Sequence, residues 1–512
     1  VTAVLRLLRN VSSNYLYAVV NGLVLVVLTP IVVRTLGVEM YAVWVIVQTL
    51  AYYLGFLDLG VVDAQVQRHA VLASQKRFDE IGRLHGTVLC FFLAAGMVGL
   101  LIAIAVAALP SAQLFDVPAA AREAYGTALV LASVAMLLSF AGSAFNGIYE
   151  GFQRYDLMNA VNIVVSIVEA MSIYAVLAAG AGIVALAIVK IGAEALRAVL
   201  KLATAWRVFP SYALPRLRFD RSSWRAIRGF SFWNSLNDIV TEGTAHFDKL
   251  LIPILLGSAL LTPYSLVLMI AAAVFIVAEP ITDTYLPIAA NRHARGDATG
   301  IGALLTRGTK LVNMATLPVL VVVLCFGQEL LELWVGEAYT RVAPAVLWLT
   351  VINCYVSTYF WTALSVLMGA GLVKRMFWAS LLELAIVLVL IMILVPPFGL
   401  TGLALGGLIG NVVIGFKYFI AKACRLGDLR LGSFLFATML RPAAGAAPAL
   451  AVGIGLELFA APQSWLGVLL ACAITGLVCF GGVAAVSSSR WERARWYATA
   501  HRLIQPLRAG AA

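Results

Sequence analysis

The sequence predicts an all-α integral membrane protein with about fourteen transmembrane helices. Three observations lead there. Of 512 residues, 62% are hydrophobic and 12% charged, about half the charged share of a soluble domain. Apolar runs of some twenty residues recur along the chain, each long enough to cross roughly 30 Å of hydrocarbon as a helix. Lys and Arg gather in alternate connections between those runs, as the positive-inside rule requires of a protein that crosses many times.

The runs centre near residues 23, 52, 97, 136, 168, 194, 243, 275, 320, 356, 386, 410, 447 and 474. The first is not read as a cleaved signal, because no small-residue cleavage site precedes the polar turn Arg34-Thr35-Leu36-Gly37. Placing both termini in the cytoplasm puts 31 of the 36 Lys and Arg residues on the cytoplasmic side. Arg34, Arg122 and Arg341 fall outside, and Lys190 and Lys249 fall within spans. The net charge of +11 then reflects topology, and no nucleic-acid partner is expected. Six cysteines sit mostly inside apolar runs without metal-ligand spacing, so neither a disulfide framework nor a metal site is expected.

Residues 210–228 join Arg216, Arg218, Arg221, Arg225 and Arg228 to Tyr212, Phe219 and Trp224. Residues 490–508 join Arg490, Arg493, Arg495, Arg502 and Arg508 to Trp491 and Trp496. Both read as interfacial segments on anionic membrane lipid. An internal repeat frames the first of them. Gln67-Arg68-His69-Ala70 recurs as Asn291-Arg292-His293-Ala294, Gly86-Thr87 as Gly308-Thr309, and Leu36-Gly37 with Tyr41 as Leu256-Gly257 with Tyr264. Gly182 to Ala187 corresponds likewise to Gly399 to Ala404, and every offset is close to 220 residues. The expected organisation is a six-span lobe at 1–206, a basic amphipathic linker at 207–228 and a second six-span lobe at 229–431. Two further spans at 432–489 and a basic tail at 490–512 complete the chain. Six is even, so the two lobes are parallel repeats, a design that puts a substrate site between them.

Charge inside the spans is the main functional signal. From Gly229 to Gly257, Asn234, Asp238, Glu242, His246 and Lys249 fall on one side of a helix, and Phe232, Ile239, Phe247, Leu251 and Ile254 on the other. A charge in hydrocarbon costs several kcal/mol, so this stripe turns to the protein interior or to water. It is either an ion-pair ladder that fixes packing or the lining of a transport cavity.

Residues 36–60, LGVEMYAVWVIVQTLAYYLGFLDLG, resemble the second-span signature of polysaccharide exporters, with Ala42 where the family usually has Gly. Residues 246–266, HFDKLLIPILLGSALLTPYSL, are similar to the seventh-span signature, and ELWVGEAY at 332–339 to the loop after the ninth span. With GLTGLALG at 399–406, the chain resembles the oligosaccharide flippases of the multidrug/oligosaccharidyl-lipid/polysaccharide exporter superfamily. That resemblance implies a two-lobed transporter in the cytoplasmic (inner) membrane of a bacterium. It would carry a polyprenyl-diphosphate-linked oligosaccharide to the external leaflet by alternating access. It would act as a monomer, loosely associated with glycan-assembly enzymes, use a gradient of H⁺ or Na⁺, and hold no cofactor.

Such a substrate asks for cations near the diphosphate and for polar and aromatic groups near the sugar. Lys190, Glu194 and Arg197 lie at i, i+4 and i+7 on the sixth span, and Lys190 sits about 12 Å from its external end. Lys190, Arg197 and Lys249 are the diphosphate candidates, with Asp248 the expected partner of Lys249. An internal ion-pair triad accounts for the sixth-span residues equally well. Asp238, Glu242, His246, Glu169 and Glu194 are the ion-coupling candidates, with Glu279 and Glu383 weaker ones, although a structural role for His246 explains its position too. On the tenth span Asn353, Ser357 and Trp361 share a face beside Tyr355 and Tyr359. These five suit sugar, or serve helix packing.

Two rival functions stay open: a cation-coupled exporter of small amphipathic drugs, and a membrane glycan polymerase or ligase. The latter needs an external catalytic loop, and the longest external loops here, near 109–121 and 327–342, are short. No phosphate-binding glycine loop or nucleophile constellation accompanies them, so a transporter rather than an enzyme is expected. The orientation is testable with Arg218→Cys, Arg502→Cys and Gly336→Cys, each in a cysteine-free background. Membrane-impermeant thiol reagent should label only the cysteine at 336 from outside, and external labelling at 218 or 502 would overturn the fourteen-span arrangement.

Overall fold

Backbone amides that meet no water must bond to one another, and an α-helix does so within a single segment. The computed structural model describes residues 2–208, 217–340, 342–460 and 462–487, and these contain helices and turns without a strand. The tail expected at 490–512 and residues 209–216 of the expected linker lie outside the described residues.

The α-helices of five or more residues run in the order α1 Thr2–Gly55, α2 Val61–Ser74, α3 Phe78–Ala108, α4 Arg122–Ser143 and α5 Asn146–Gly151. Next come α6 Tyr155–Ala178, α7 Ile183–Val208, α8 Arg221–His246, α9 Asp248–Leu256 and α10 Leu261–Ala271. They continue as α11 Ala273–Thr282, α12 Tyr285–Ala294, α13 Ala298–Trp334, α14 Pro344–Gly369 and α15 Val373–Ile414. The last are α16 Ala421–Leu426, α17 Leu431–Leu435, α18 Arg441–Ala460 and α19 Trp465–Ser487. Ten helical stretches among the described residues are long and apolar enough to cross a membrane. Two of these, at Ser12–Asp58 and Val373–Leu426, are broken internally by the non-helical residues Gly37 and Gly399. Neither α7 nor α8 is among the ten: α7 carries Lys190, Glu194, Arg197 and Lys201, and α8 is interrupted by polar residues. Large apolar side chains such as Leu101, Met171, Ile276 and Leu477 stay exposed, as lipid-facing positions do.

Packing divides the chain into two compact units, Val1–Ser265 and Leu266–Ala512. In the first, Leu84, Val88, Phe92, Phe140, Ile148 and Tyr149 form a core between α3, α4 and α5. The sequence boundaries assign 229–265 to the second lobe, but α8 packs on α2 and α3, so the compact division falls after Ser265. The entry to α8 is fixed by Asp220, whose N–H donates to Thr87 Oγ1 at 3.0 Å. Its carboxylate caps the helix by accepting from Ser223 N at 2.9 Å. The Ser222 and Ser223 hydroxyls hold this carboxyl below the usual range. On α2, His69 is fully buried, and burial pushes its imidazole down to about 4, so the ring is neutral with Nδ1 paired to Gln65 O at 2.7 Å.

In the second unit the core gathers Tyr285, Leu305, Tyr359, Phe360, Leu367 and Phe419. Here α15 is a hairpin that turns at Gly399, whose φ of 56° and ψ of −134° only glycine adopts readily. The two halves close on a glycine stripe. A Cβ on Gly402 would stand 2.1 Å from Leu394 O, one on Gly406 3.2 Å from Ile391, and one on Gly410 2.3 Å from Val387 Cγ2. The partner residue falls as the glycine number rises, which marks an antiparallel pair with backbones in near contact.

The positive-φ residues expose the repeat in the backbone itself. Gly37, Lys76, Asp116, Gln153 and Gly180 are matched by Gly257, Gly296, Gly336, Gly371 and Gly399, at separations of 218 to 220 residues.

Gly402→Ala should destabilise the protein by about 1–3 kcal/mol or more, because a methyl group meets a backbone carbonyl that cannot move aside. Gly455→Ala, at a position with open space around it, should be neutral or stabilising by up to about 1 kcal/mol. Thermal unfolding in detergent compares the two directly.

Candidate functional site

The sixth-span charges expected at i, i+4 and i+7 do share a face of α7, and α6 completes them. Lys190 Nζ donates to Glu169 Oε1 at 3.0 Å and lies 3.7 Å from Glu194 Oε1. The Arg197 guanidinium lies 3.7 Å from Glu169 Oε2 and also donates to Glu194 Oε1. The four side chains thus form a closed ring of alternating sign with zero net charge. Glu194 is the most buried member, its side chain 6% exposed, whereas that of Lys190 is 35% exposed. One turn further, Lys201 is buried and donates to Asn146 Oδ1 at 2.8 Å, while its carbonyl accepts from Tyr149 OH at 2.6 Å.

A second polar cluster joins α8 and α9 to the aromatic end of α1. Tyr52 OH donates to Glu242 Oε2 at 3.1 Å, and Tyr53 OH donates to the Gly243 carbonyl at 2.6 Å. The Tyr52 ring meets the His246 ring edge-on at 4.4 Å between centroids. His246 Nδ1 faces Lys249 Nζ at 3.2 Å, so this nitrogen is the acceptor and the ammonium the donor. Asp248, the expected partner of Lys249, is committed elsewhere: it accepts from Tyr264 OH and from the Lys249 backbone N–H at 2.7 Å. No described carboxylate lies within ion-pair distance of the Lys249 ammonium. The side chain of Asp238 lies outside the described residues.

The tenth-span residues, on α14, separate into two groups. Asn411 Nδ2 donates to Asn353 Oδ1 at 2.9 Å and to Ser357 Oγ at 2.8 Å, and Trp361 stacks on Phe275 at 5.3 Å. Tyr355 OH instead donates to Asn313 Oδ1 at 3.1 Å, and Tyr359 OH pairs with Thr438 Oγ1 at 2.7 Å. Asn313 in turn donates to the Thr438 carbonyl. In this arrangement the two tyrosine hydroxyls tie α14 to Asn313 and Thr438, while Asn353 and Ser357 meet Asn411 and Trp361 meets Phe275.

With these features placed, the family model described as "Polysaccharide biosynthesis protein" matches residues 31–344, more than half of the chain. The chain belongs to the polysaccharide biosynthesis protein family. Its fold is similar to that of solved flippase and multidrug-transporter structures. The lipid II flippase MurJ, in an inward closed conformation, matches with a TM-score of 0.67 and 13% identity, over 91% of this chain and 98% of that one. An inward-facing multidrug resistance MATE family transporter of the MOP superfamily matches with a TM-score of 0.67 and 13% identity, over 82% and 95%. A variant of a Vibrio cholerae MATE transporter gives 0.55 and 16% identity, over 83% and 96%. No curated protein sequence matches.

Within this polysaccharide-family chain, sequence reasoning missed Tyr52, Tyr53 and Lys201 as members of the polar clusters, and Asn411 and Phe275 as partners of the tenth span. The paired tyrosines beside the LGFLDLG motif were the available signal. The others come from helices distant in sequence, where spacing gives none. Arg197→Leu should cost about 1.5–3 kcal/mol by leaving the buried Glu194 with only its longer contact to Lys190. Arg197→Leu combined with Glu194→Leu should recover most of that loss in detergent unfolding, which a packing role for Arg197 alone would not produce.

Proposed function

We propose that this protein is a flippase that moves a polyprenyl-diphosphate-linked oligosaccharide from the cytoplasmic to the external leaflet by alternating access. The reading places fourteen crossings in a bacterial inner membrane with both termini in the cytoplasm, as two six-span lobes and two appended spans. The observation that carries it is Lys249: a cation set among apolar helices, held by a neutral imidazole and not by a described carboxylate, in a chain of the polysaccharide biosynthesis family. A diphosphate entering there gains a charge interaction without first breaking a contact ion pair. Lys190, the exposed corner of the ring, supplies a second contact in exchange for Glu169, and Arg197 holds the ring together as it opens. Asn353, Ser357 and Trp361 offer amide, hydroxyl and ring surface to sugar.

Coupling to H⁺ or Na⁺ is assigned to Asp238 and Glu242, one helical turn apart. Two carboxylates at about 6 Å in a medium of low dielectric repel, and a proton or cation between them relieves that repulsion. Tyr52, bound to Glu242 and touching His246, links the carboxylate to Lys249, so ion occupancy and substrate occupancy can favour different lobe arrangements. The resemblance of fold to multidrug transporters keeps drug export as the alternative, and the family match favours the glycan.

Reconstituted protein should flip lipid-linked oligosaccharide faster under an imposed pH or Na⁺ gradient. Lys249→Ala should slow flipping by about tenfold or more, the value of one charge-assisted hydrogen bond, with membrane abundance unchanged and Lys249→Arg milder. Flipping indifferent to both gradients and to Asp238→Asn with Glu242→Gln would remove the coupling. Export of dyes with no oligosaccharide flipping would remove the glycan assignment.

A further inference from the structure

The second unit holds a concentration of positive charge that the proposed transport cycle does not use. Arg375, near the start of α15, shares a pocket of about 210 Å³ with Lys417, Tyr418, Lys422 and Arg425. The reversal at Gly399 is what brings Arg375 to Lys417: the two halves run back along each other and end side by side. A π-helical turn at Gly415–Ile420 then changes the helical phase, so that Lys417 and Tyr418 share a wall with Lys422 and Arg425. Such turns occur frequently at functional sites. The Phe360 ring occupies the place of a Cβ on Gly415, which anchors this turn against α14.

Four cations therefore converge, and none makes an ion pair among the described residues. Like charges gathered at the edge of an apolar helix pair repel one another, and an anion in the pocket relieves all four at once. The cavity is below the roughly 300–1,000 Å³ that encloses a drug-sized molecule, but many times the volume one ordered water needs. A phosphate group with its hydration fits that range. Arg375, Trp378 and Leu382 lie at i, i+3 and i+7 on one face of α15, and Trp378 and Leu382 are 57% and 55% exposed. An apolar track thus leads away from the cations, beginning with the residue type that favours the membrane interface.

We propose that Arg375, Lys417, Lys422 and Arg425 bind a phosphate group, carried on a membrane lipid whose chains lie along Trp378 and Leu382. This site is separate from the assignment of the transported substrate and stands or falls without it.

The test uses full-length protein, delipidated in neutral detergent and titrated with phosphatidylglycerol, with diacylglycerol and with inorganic pyrophosphate, bound ligand being counted by native mass spectrometry. Phosphatidylglycerol should bind and diacylglycerol should not. Lys422→Gln with Arg425→Gln should weaken phosphatidylglycerol binding roughly 30-fold and Arg375→Gln about fivefold, the scale expected for each cation near an anionic lipid. Arg430→Gln, an exposed cation outside the pocket, should change nothing. Should the double variant fail to fold, Arg375→Gln carries the same test from the other helix. Pyrophosphate binding that is lost in the pocket variants, with Trp378→Ala silent, supports the phosphate site and assigns it to a soluble compound. Phosphatidylglycerol affinity unchanged in the pocket variants, or lowered equally by Arg430→Gln, would overturn the proposal.

Discussion

Charge held within hydrocarbon has to be neutralised by the protein itself, and the ring of Glu169, Lys190, Glu194 and Arg197 is where this chain meets that demand. Each carboxylate there lies near both cations, so the loss of any one contact leaves every charge with a partner. That redundancy lets α6 and α7 carry these four charged side chains among mainly apolar residues. It also sets a contrast with Lys249, whose ammonium has an imidazole nitrogen as its described hydrogen-bond partner and interacts with the Asp248 carboxylate without a contact ion pair. A neutralised ring holds helices together at small electrostatic cost. A cation without a contact ion pair is costlier to keep in such surroundings, and an anion that visits it offsets that cost.

What was legible in the sequence follows from what is local. Lys190, Glu194 and Arg197 are spaced to share a helix face, and they do, because a helix fixes its own geometry whatever it packs against. Asn353 and Ser357 likewise meet on one face of α14. Glu169 could be named as a charged residue in a span but not as the bridge between Lys190 and Arg197, since that depends on how α6 lies against α7. Tyr52 bonds to Glu242 across 190 residues of sequence, and no periodicity reports such a contact. The assignment of Asp248 to Lys249 illustrates the limit: adjacency in sequence suggested a partnership, and the two charges do interact, but the direct contacts of the carboxylate are the Tyr264 hydroxyl and the Lys249 backbone N–H, which no spacing reports.

The internal repeat is firmer in backbone conformation than in residue identity. All five matched joints of the second copy are glycines, whereas three of the first copy are Lys76, Asp116 and Gln153. A side chain in the left-handed region costs roughly 1–2 kcal/mol that glycine avoids. The chain geometry has thus been kept at joints where the residue best suited to it has not. The repeat therefore reflects a constraint on how successive helices are connected and not a constraint on which residues connect them.

The closed hairpin of α15 bears on how the protein enters a bilayer. Between Glu383 and Lys417 there is no ionisable side chain, and the tip at Pro396, Pro397, Phe398 and Gly399 is free of charge. Both halves satisfy their backbone hydrogen bonds internally, and the glycine stripe lets them pack on each other before any neighbour arrives. The pair is thus equipped to leave the insertion machinery as one preassembled unit, with no polar loop to be carried across. Its two basic ends would stay behind on the side of synthesis, so the same residues that crowd positive charge around Arg375 also stop the hairpin from passing through.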